Sequence, residues 1–359
     1  MSYQGPSWQA TQRLPAAHRP AAPRPVPPRR PPQGPQRRSI RRRRRLGRIL
    51  AAILGVLALV VIGVAGYVDR SLRRSDALAD YPGRVADTPG TNWLIVGSDS
   101  RAGLTTDQAA QLTTGDEDAA GGERTDTIML MHIPALTSNA QPTLVSLPRD
   151  SSVPVVRHGR LKLNTTFALG GPTLLVQTVE RVTGVHIDHY AEIGFGGFAD
   201  LVDDVGGVQL CPTEPISDPL AGLDIPAGCQ VLDGPQALGY VRTRQSPRGD
   251  LDRVVRQREF LGALISQASS PAVLLNPFRA GSLAADAPDV VTVGTGDHVW
   301  HLARLGWAMR SLAGGDAVTM TVPIAGFGPV SDGSSGVLWD RKQATRLFDA
   351  LAQDRPVPG

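Results

Sequence analysis

Apolar positions divide the chain into one long unbroken run and many short ones. The long run, ILAAILGVLALVVIGVAGYV from Ile49 to Val68, carries no charge on any face. At 1.5 Å per residue it matches a hydrocarbon layer of roughly 30 Å, and a core helix of this length would show a polar side. A membrane-crossing helix is therefore expected over 46–69. Farther on, the runs shorten to strand length. NWLIVGSDS is too short for a helix and is ended by Gly97, and TDTIMLMHI and PTLVSL come next, joined by the turn-rich PALTSNAQ. Three successive strands are the expectation there. Beyond Asn164 the period turns helical. Pro172 opens a segment with Leu174, Leu175, Val179 and Val182 on one face, closed by Gly184. HYAEI and GGVQL read as strands and 198–204 as a short helix. Asp233 reads as the cap of a helix with Pro235 in its first turn, and Asp250 as the cap of a longer one. A helix at 301–312, a strand at 318–322 and a helix at 339–352 complete a pattern that predicts a single α/β (α+β) domain.

Composition adds a direction. Residues 1–36 carry ten prolines and too little apolar surface to fold, so 1–45 is expected to be a disordered tail. Arg37, Arg38 and the run Arg41 to Arg45 stand just before the apolar run. By the positive-inside rule they hold the tail in the cytoplasm and place the chain beyond about Arg70 outside, on an uncleaved signal anchor. The polar stretch 70–91, with Pro82 and Pro89, reads as a linker, and 92–356 as the folded domain. Thirteen of the 37 basic residues lie before Ile49, where no acid occurs. The remainder is net acidic, which excludes nucleic acid as a partner of the folded part. The only cysteines, Cys211 and Cys229, are expected to form a disulfide in an exported domain, and neither has zinc-ligand neighbours. A polar insertion over 102–123 reads as a surface loop.

Candidate chemistry comes from strand order. If the first two strands are antiparallel, Asp99 and Asp126 meet at one rim, and the third strand delivers Arg149 there beside Arg124. Paired hard carboxylates suit Mg²⁺. In YVRTRQSPRGDLDRVVRQRE, Tyr240 to Glu259, six of twenty residues are arginine. Asp250, Arg253 and Gln257 share a helix face, and Arg242 and Arg244 point the same way if the backbone between them is extended. Forked guanidiniums beside a divalent ion answer a pyrophosphate. For Arg248, Asp252, Arg258 and Glu259 a surface ion-pair network suffices.

VGSDSR, RTDTIML, SLPRDS, KLNTTFALGG, DDVGGV and ALGYVRTR…GDLDRVVRQREFL occur in this order. With the anchor they resemble the LytR-CpsA-Psr family, most closely over 92–264. The resemblance implies a central mixed sheet flanked by helices, with an apolar channel for a lipid tail. It also implies a Mg²⁺-dependent phosphotransferase that moves a glycopolymer from a polyprenyl pyrophosphate carrier to a peptidoglycan hydroxyl. Asp99 and Asp126 become metal carboxylates, and Arg124, Arg149, Arg242 and Arg244 pyrophosphate clamps. Lys162, Asp250, Arg253, Arg256 and Gln257 match further head-group positions. Arg258 departs from the glutamine of many relatives. The cysteine pair points to an actinobacterial member, whose cargo would be arabinogalactan or another wall polymer. A carboxylate, Asp99 or Asp126, is the candidate base. A polyprenyl-pyrophosphate hydrolase with the same site and a non-catalytic envelope regulator are the alternatives.

Overall fold

The computed structural model of the chain describes residues 37–99, 125–246, 249–331 and 333–358. It separates into two units, residues 1–58 and 59–359. Helix α1 (Arg37–Ser71) begins earlier than the expected span. Over Gly47–Ser71 it is long and apolar enough to cross a membrane, and residues 47–64 are all exposed.

A seven-stranded sheet organises the second unit. Its strands are β1 (Arg73–Ser75), β2 (Thr91–Ser98), β3 (Thr125–Ile133), β4 (Thr143–Ser146), β5 (His189–Ile193), β6 (Val291–Gly294) and β7 (Val318–Thr321), in the order β1-β6-β5-β2-β3-β4-β7. The expected antiparallel succession β2, β3, β4 is present, and β5 returns parallel to β2, so the sheet is mixed. Helices run in the order α2 (Leu163–Thr183), α3 (Phe195–Asp204), α4 (Gly234–Arg242), α5 (Asp250–Ala268), α6 (Pro277–Val290), α7 (Val299–Gly314) and α8 (Arg341–Ala352).

Helices cover both sheet faces, which is why the central strands read as continuous apolar runs. Leu94, Val96, Ile128, Leu130 and Val145 pack with Leu175 and Val179 of α2 and Leu347 and Leu351 of α8. Their neighbours Trp93, Ile95, Met129, Met131 and Leu144 pack with Leu305 and Met309 of α7. Helix α2 starts at Leu163 but breaks at Gly170 and Gly171. Only glycine easily adopts the φ of +62° at Gly171, so Pro172 opens the second half as expected. A further core joins α3, α4 and α5 to two short strand pairs, Val208–Leu210 with Gln230–Leu232 and Ile216–Asp218 with Leu223–Ile225. The Cys211–Cys229 disulfide closes the first pair just beyond Leu210↔Gln230.

One expectation needs correction. The segment 70–91 is not a free linker: β1 pairs with β6 at the sheet edge. Arg84 donates to Glu180 and to the carbonyls of Leu78 and Ile187, and the Tyr81 hydroxyl donates to Glu180 at 2.6 Å. Glu180 is wholly buried, so these donors offset its desolvation and fasten a compositionally polar stretch to the core. The hairpins Ser152–Val155/Gly159–Lys162 and Ile324–Pro329/Ser335–Trp339 were not anticipated, because short strands rich in Gly, Ser and Pro carry little periodicity.

Candidate functional site

The site begins with an irregularity in the β2–β3 ladder. Gly97 pairs with Thr127 but Ser98 pairs with Thr125, which leaves Asp126 as the extra residue of a β-bulge. A bulge twists the strand and re-aims the side chain it frees. The strands are close here: a Cβ on Gly97 would lie 3.0 Å from Cβ of Thr127, so glycine is what the register tolerates. Asp99 lies directly after β2 and is half-buried.

The chain leaving β4 brings Arg149 back to the same rim, where its guanidinium pairs closely with the Asp126 carboxylate. Arg253 of α5, 1% exposed, approaches the same oxygen at 3.8 Å. Arg149 also faces Asp150 at 3.6 Å, and Asp150 faces Lys162 at 3.4 Å. Burial alone would raise the Asp126 pKa. Arg253, Arg149 and Arg244 outweigh it and hold the carboxyl below its ordinary value, so Asp126 is ionised at neutral pH.

Arg242 and Arg244 converge by a different route from the one expected. Arg242 is the last residue of α4, and the backbone becomes extended only at Thr243 (φ −58°, ψ 139°). Both arginines nonetheless line a cleft of about 320 Å³ with Asp126, Asp218 and Arg253. Asp218 is a residue that sequence reasoning missed. Its carboxylate accepts from the Thr243 hydroxyl at 2.7 Å and from the amides of Leu220 and Ala221, so it fastens the Arg242–Arg244 segment to the disulfide-closed loop. Burial opposes its ionisation, but these hydrogen bonds prevail and lower its pKa. The Asp-Pro turn signature was the available signal.

Arg256 donates to the Thr243 carbonyl at 2.7 Å and Gln257 to the Val241 carbonyl at 3.2 Å, so both fasten α5 to the end of α4. Asp250 opens α5 as its first helical residue, and Gly249, with φ +54°, holds the cap position instead. Arg124, Arg248 and the side chain of Asp250 lie outside the described residues.

From Asp126 and Arg242 an apolar cavity of about 80 Å³ continues between the sheet and α5, lined by Met129, Phe198, Phe260, Leu261 and Leu264. Carboxylate and arginine thus stand where a greasy cavity meets a charged cleft. Beside Asp126, the hydroxyls of Ser98 and Thr125 are buried without a hydrogen-bond partner among the described residues. Orphaned oxygens next to two carboxylates fit a hard divalent cation with its water shell.

A second group occupies the opposite end of the sheet. Donor atoms of His189, Asp297 and His301 lie within 4.8 Å of one another, close enough to hold a metal ion. His189 donates to Asp297, whose other oxygen accepts the amides of Tyr190 and Gly294, each at 3.0 Å. Sequence reading missed this group because only the β2–β5–β6 pairing brings positions 189 and 297 together.

Known proteins share this organisation. The chain is 53% identical over 302 residues to the "Probable cell wall biosynthesis protein LcpB" of Corynebacterium glutamicum, covering 84% of this chain and 70% of that one. It is 30% identical over 239 residues to the "Polyisoprenyl-teichoic acid--peptidoglycan teichoic acid transferase TagU" of Bacillus cereus, covering 62% of this chain and 72% of that one. The solved "LytR-Csp2A-Psr enzyme from Actinomyces oris" shares the fold, with a TM-score of 0.59 at 24% identity over 79% of this chain and 96% of that one. The LytR_cpsA_psr family profile matches residues 69–353, and with the bulge, the arginines and the sheet order in place, the chain belongs to the LytR-CpsA-Psr family of cell-wall biosynthesis proteins.

Proposed function

We propose that the chain transfers a glycopolymer with its linking phosphate from a polyprenyl pyrophosphate carrier to a peptidoglycan hydroxyl. The observation that carries this reading is the meeting of the apolar cavity and the arginine cleft at two shared residues, Asp126 and Arg242. A lipid-linked pyrophosphate has the same division: an apolar tail and a head with at least two negative charges. The chain's similarity to a teichoic acid transferase supports the same chemistry.

In the proposed reaction the isoprenoid tail lies along Met129, Phe260 and Leu264, and the pyrophosphate lies across Arg149, Arg242, Arg244 and Arg253, with Arg124 as a further clamp. Lys162, Asp250, Arg256 and Gln257 are assigned to the head-group surroundings. The acceptor hydroxyl attacks the glycan-bearing phosphorus, the bridging P–O bond breaks, and polyprenyl phosphate leaves with the bond's electron pair. Arg244 and its neighbours stabilise the charge that grows on it. The hydroxyl proton goes to a carboxylate. Asp99 or Asp126, whichever is not fully engaged by metal, takes this role. Mg²⁺, held by Asp99 and Asp126, would neutralise charge on the phosphate oxygens when bound. Helix α1 would anchor the protein, its N-terminus cytoplasmic and its catalytic domain outside.

The test is reconstitution of the full chain with a lipid-linked donor, Mg²⁺ and uncrosslinked peptidoglycan. Covalent glycan on the peptidoglycan is the expected result. Release of free glycan phosphate at the same rate with and without acceptor would instead favour a hydrolase.

A further inference from the structure

Helix α7 presents a face that the reaction leaves unused. Its inward stripe, Leu302, Leu305 and Met309, packs under the sheet with Trp93 and Met131. Its outward stripe is Trp300, Ala303, Arg304, Trp307 and Arg310, all exposed, with Trp300 at 58% and Trp307 at 76%. Two tryptophans seven residues apart share a side of one helix, and burial of such large rings is the ordinary outcome in a soluble domain. Arg310 lies over the Trp307 ring at 5.7 Å, and Trp300 stacks on His298 at 4.2 Å, so both rings are held in place and stay outside. The helix contains no acidic residue.

The position of this face is fixed by contacts at the last turn of α1. Asp69 accepts the amide of Val299 at 2.9 Å, the first residue of α7, and pairs with His298 at 3.1 Å. Arg74, just past α1, donates to the Asp69 carbonyl at 3.0 Å and to the carbonyls of Thr295 and Asp297. Trp300 is therefore one residue from a point bonded to the end of the apolar helix. Tyr67, two residues before Asp69 on the last turns of α1, is 59% exposed at that end of the helix. Aromatic rings at this level with guanidiniums beside them match the chemistry of a bilayer interface, where the ring enters the headgroup boundary and the cation meets lipid phosphate.

We infer that the Trp300–Trp307 face of α7 seats on the membrane, on the leaflet where α1 ends, with Arg304 and Arg310 against anionic phospholipid headgroups. Trp307 lies about 10 Å along the helix from Trp300, so contact by both rings requires α7 to lie along the surface. The seat rests on the anchor and the helix face and does not depend on the reaction proposed above.

The experiment uses the full chain, carrying Trp8→Phe, in nanodiscs of phosphatidylglycerol with brominated acyl chains, read by tryptophan fluorescence. Quenching by the bromines is expected, and its loss by half or more in the Trp300→Phe/Trp307→Phe variant. The Trp307→Phe variant alone should lose a measurable part of it. Replacing phosphatidylglycerol with phosphatidylcholine, or applying Arg304→Glu/Arg310→Glu, should weaken the quenching about twofold. Equal quenching in the parent and the double tryptophan variant overturns the seat. Protection of Trp307 from aqueous acrylamide without bromine quenching also overturns it, because a second copy or another protein would then cover the face. Quenching indifferent to lipid charge overturns the role given to the arginines.

Discussion

The two ends of strands β2 and β5 each set a carboxylate beside basic side chains, and they treat it in opposite ways. At the far end Asp297, 1% exposed, has one oxygen saturated by two backbone amides and the other by His189, while His301 Nδ1 already accepts the His298 amide. Its partners are mainly fixed parts of the fold, so the charge is spent on joining β5, β6 and the start of α7. At the bulge end Asp126 leans on side-chain guanidiniums, Arg149 and Arg253, at the mouth of two cavities. Arginines arriving from separate elements can turn to a ligand, and amides cannot. A buried carboxylate held by amides is architecture, whereas one held by arginines around open space is poised for chemistry.

The sharpest way to break the comparison is to remove each carboxylate. Asp126→Ala should lower transfer by about a thousandfold, roughly 4 kcal/mol, and leave the fold cooperative. The lowered pKa sets the sign of its pH dependence. Asp126 contributes stability in full above the ordinary value of 3.8 and loses it as pH falls through the folded value. The stability gap between the wild type and Asp126→Asn should therefore narrow below pH 3.8, which acid titration of both proteins would read. Asp297→Ala should do the reverse at neutral pH: a loss of about 3 kcal/mol in unfolding free energy from abandoned amides and an uncompensated histidine, with the surviving folded protein still active. A stable Asp297→Ala protein without transfer would reverse the assignment of the two ends.

Much of the bulge end was legible in the chain itself. NWLIVGSDS, TDTIMLMHI and PTLVSL are short apolar runs with hairpin spacing, and antiparallel order alone puts Arg149 against Asp126, with Asp99 one residue past the Ser98↔Thr125 pair. The bulge was hidden because nothing in Gly97, Ser98, Thr125 and Thr127 counts the extra residue. Asp218 was hidden because its role depends on where Thr243 ends up, 25 positions away. The His189–Asp297 end was invisible for the same reason on a larger scale, since β6 reaches β5 only after about a hundred residues of intervening fold. The linker reading of 70–91 failed because polar composition does not reveal that a buried Glu180 is waiting for Arg84 and Tyr81.

Smaller substitutions test which arginines belong to the site. Arg244 is exposed in the cleft, so Arg244→Lys keeps the charge and loses the fork. It should reduce transfer about tenfold, close to 1.4 kcal/mol, and act on turnover more than on donor binding. Reduction of the Cys211–Cys229 bridge should have a related, weaker effect on turnover. It loosens the loop whose Asp218 fastens Thr243, and restored turnover on reoxidation would connect the two.

The smallest effect is expected at Arg258. Arg258 is half-buried on α5 one residue past Gln257, but it lines neither the apolar cavity nor the arginine cleft. Burial lowers its pKa, and the neighbouring Glu259 only partly offsets this. Glu259 has another partner, the Tyr240 hydroxyl at 3.1 Å, so it is not abandoned when Arg258 is removed. A cation that burial disfavours and whose acid has an alternative donor contributes little, and its loss mainly removes the apolar stem's contacts. Arg258→Ala should change transfer less than twofold and stability by about 0.5 kcal/mol. Assays of Arg244 and Arg258 variants on one donor preparation provide the check. A larger loss at Arg258 than at Arg244 would mean that the arginines of α5 act on substrate through its outer face, and the boundary drawn here between clamp and scaffold would move with them.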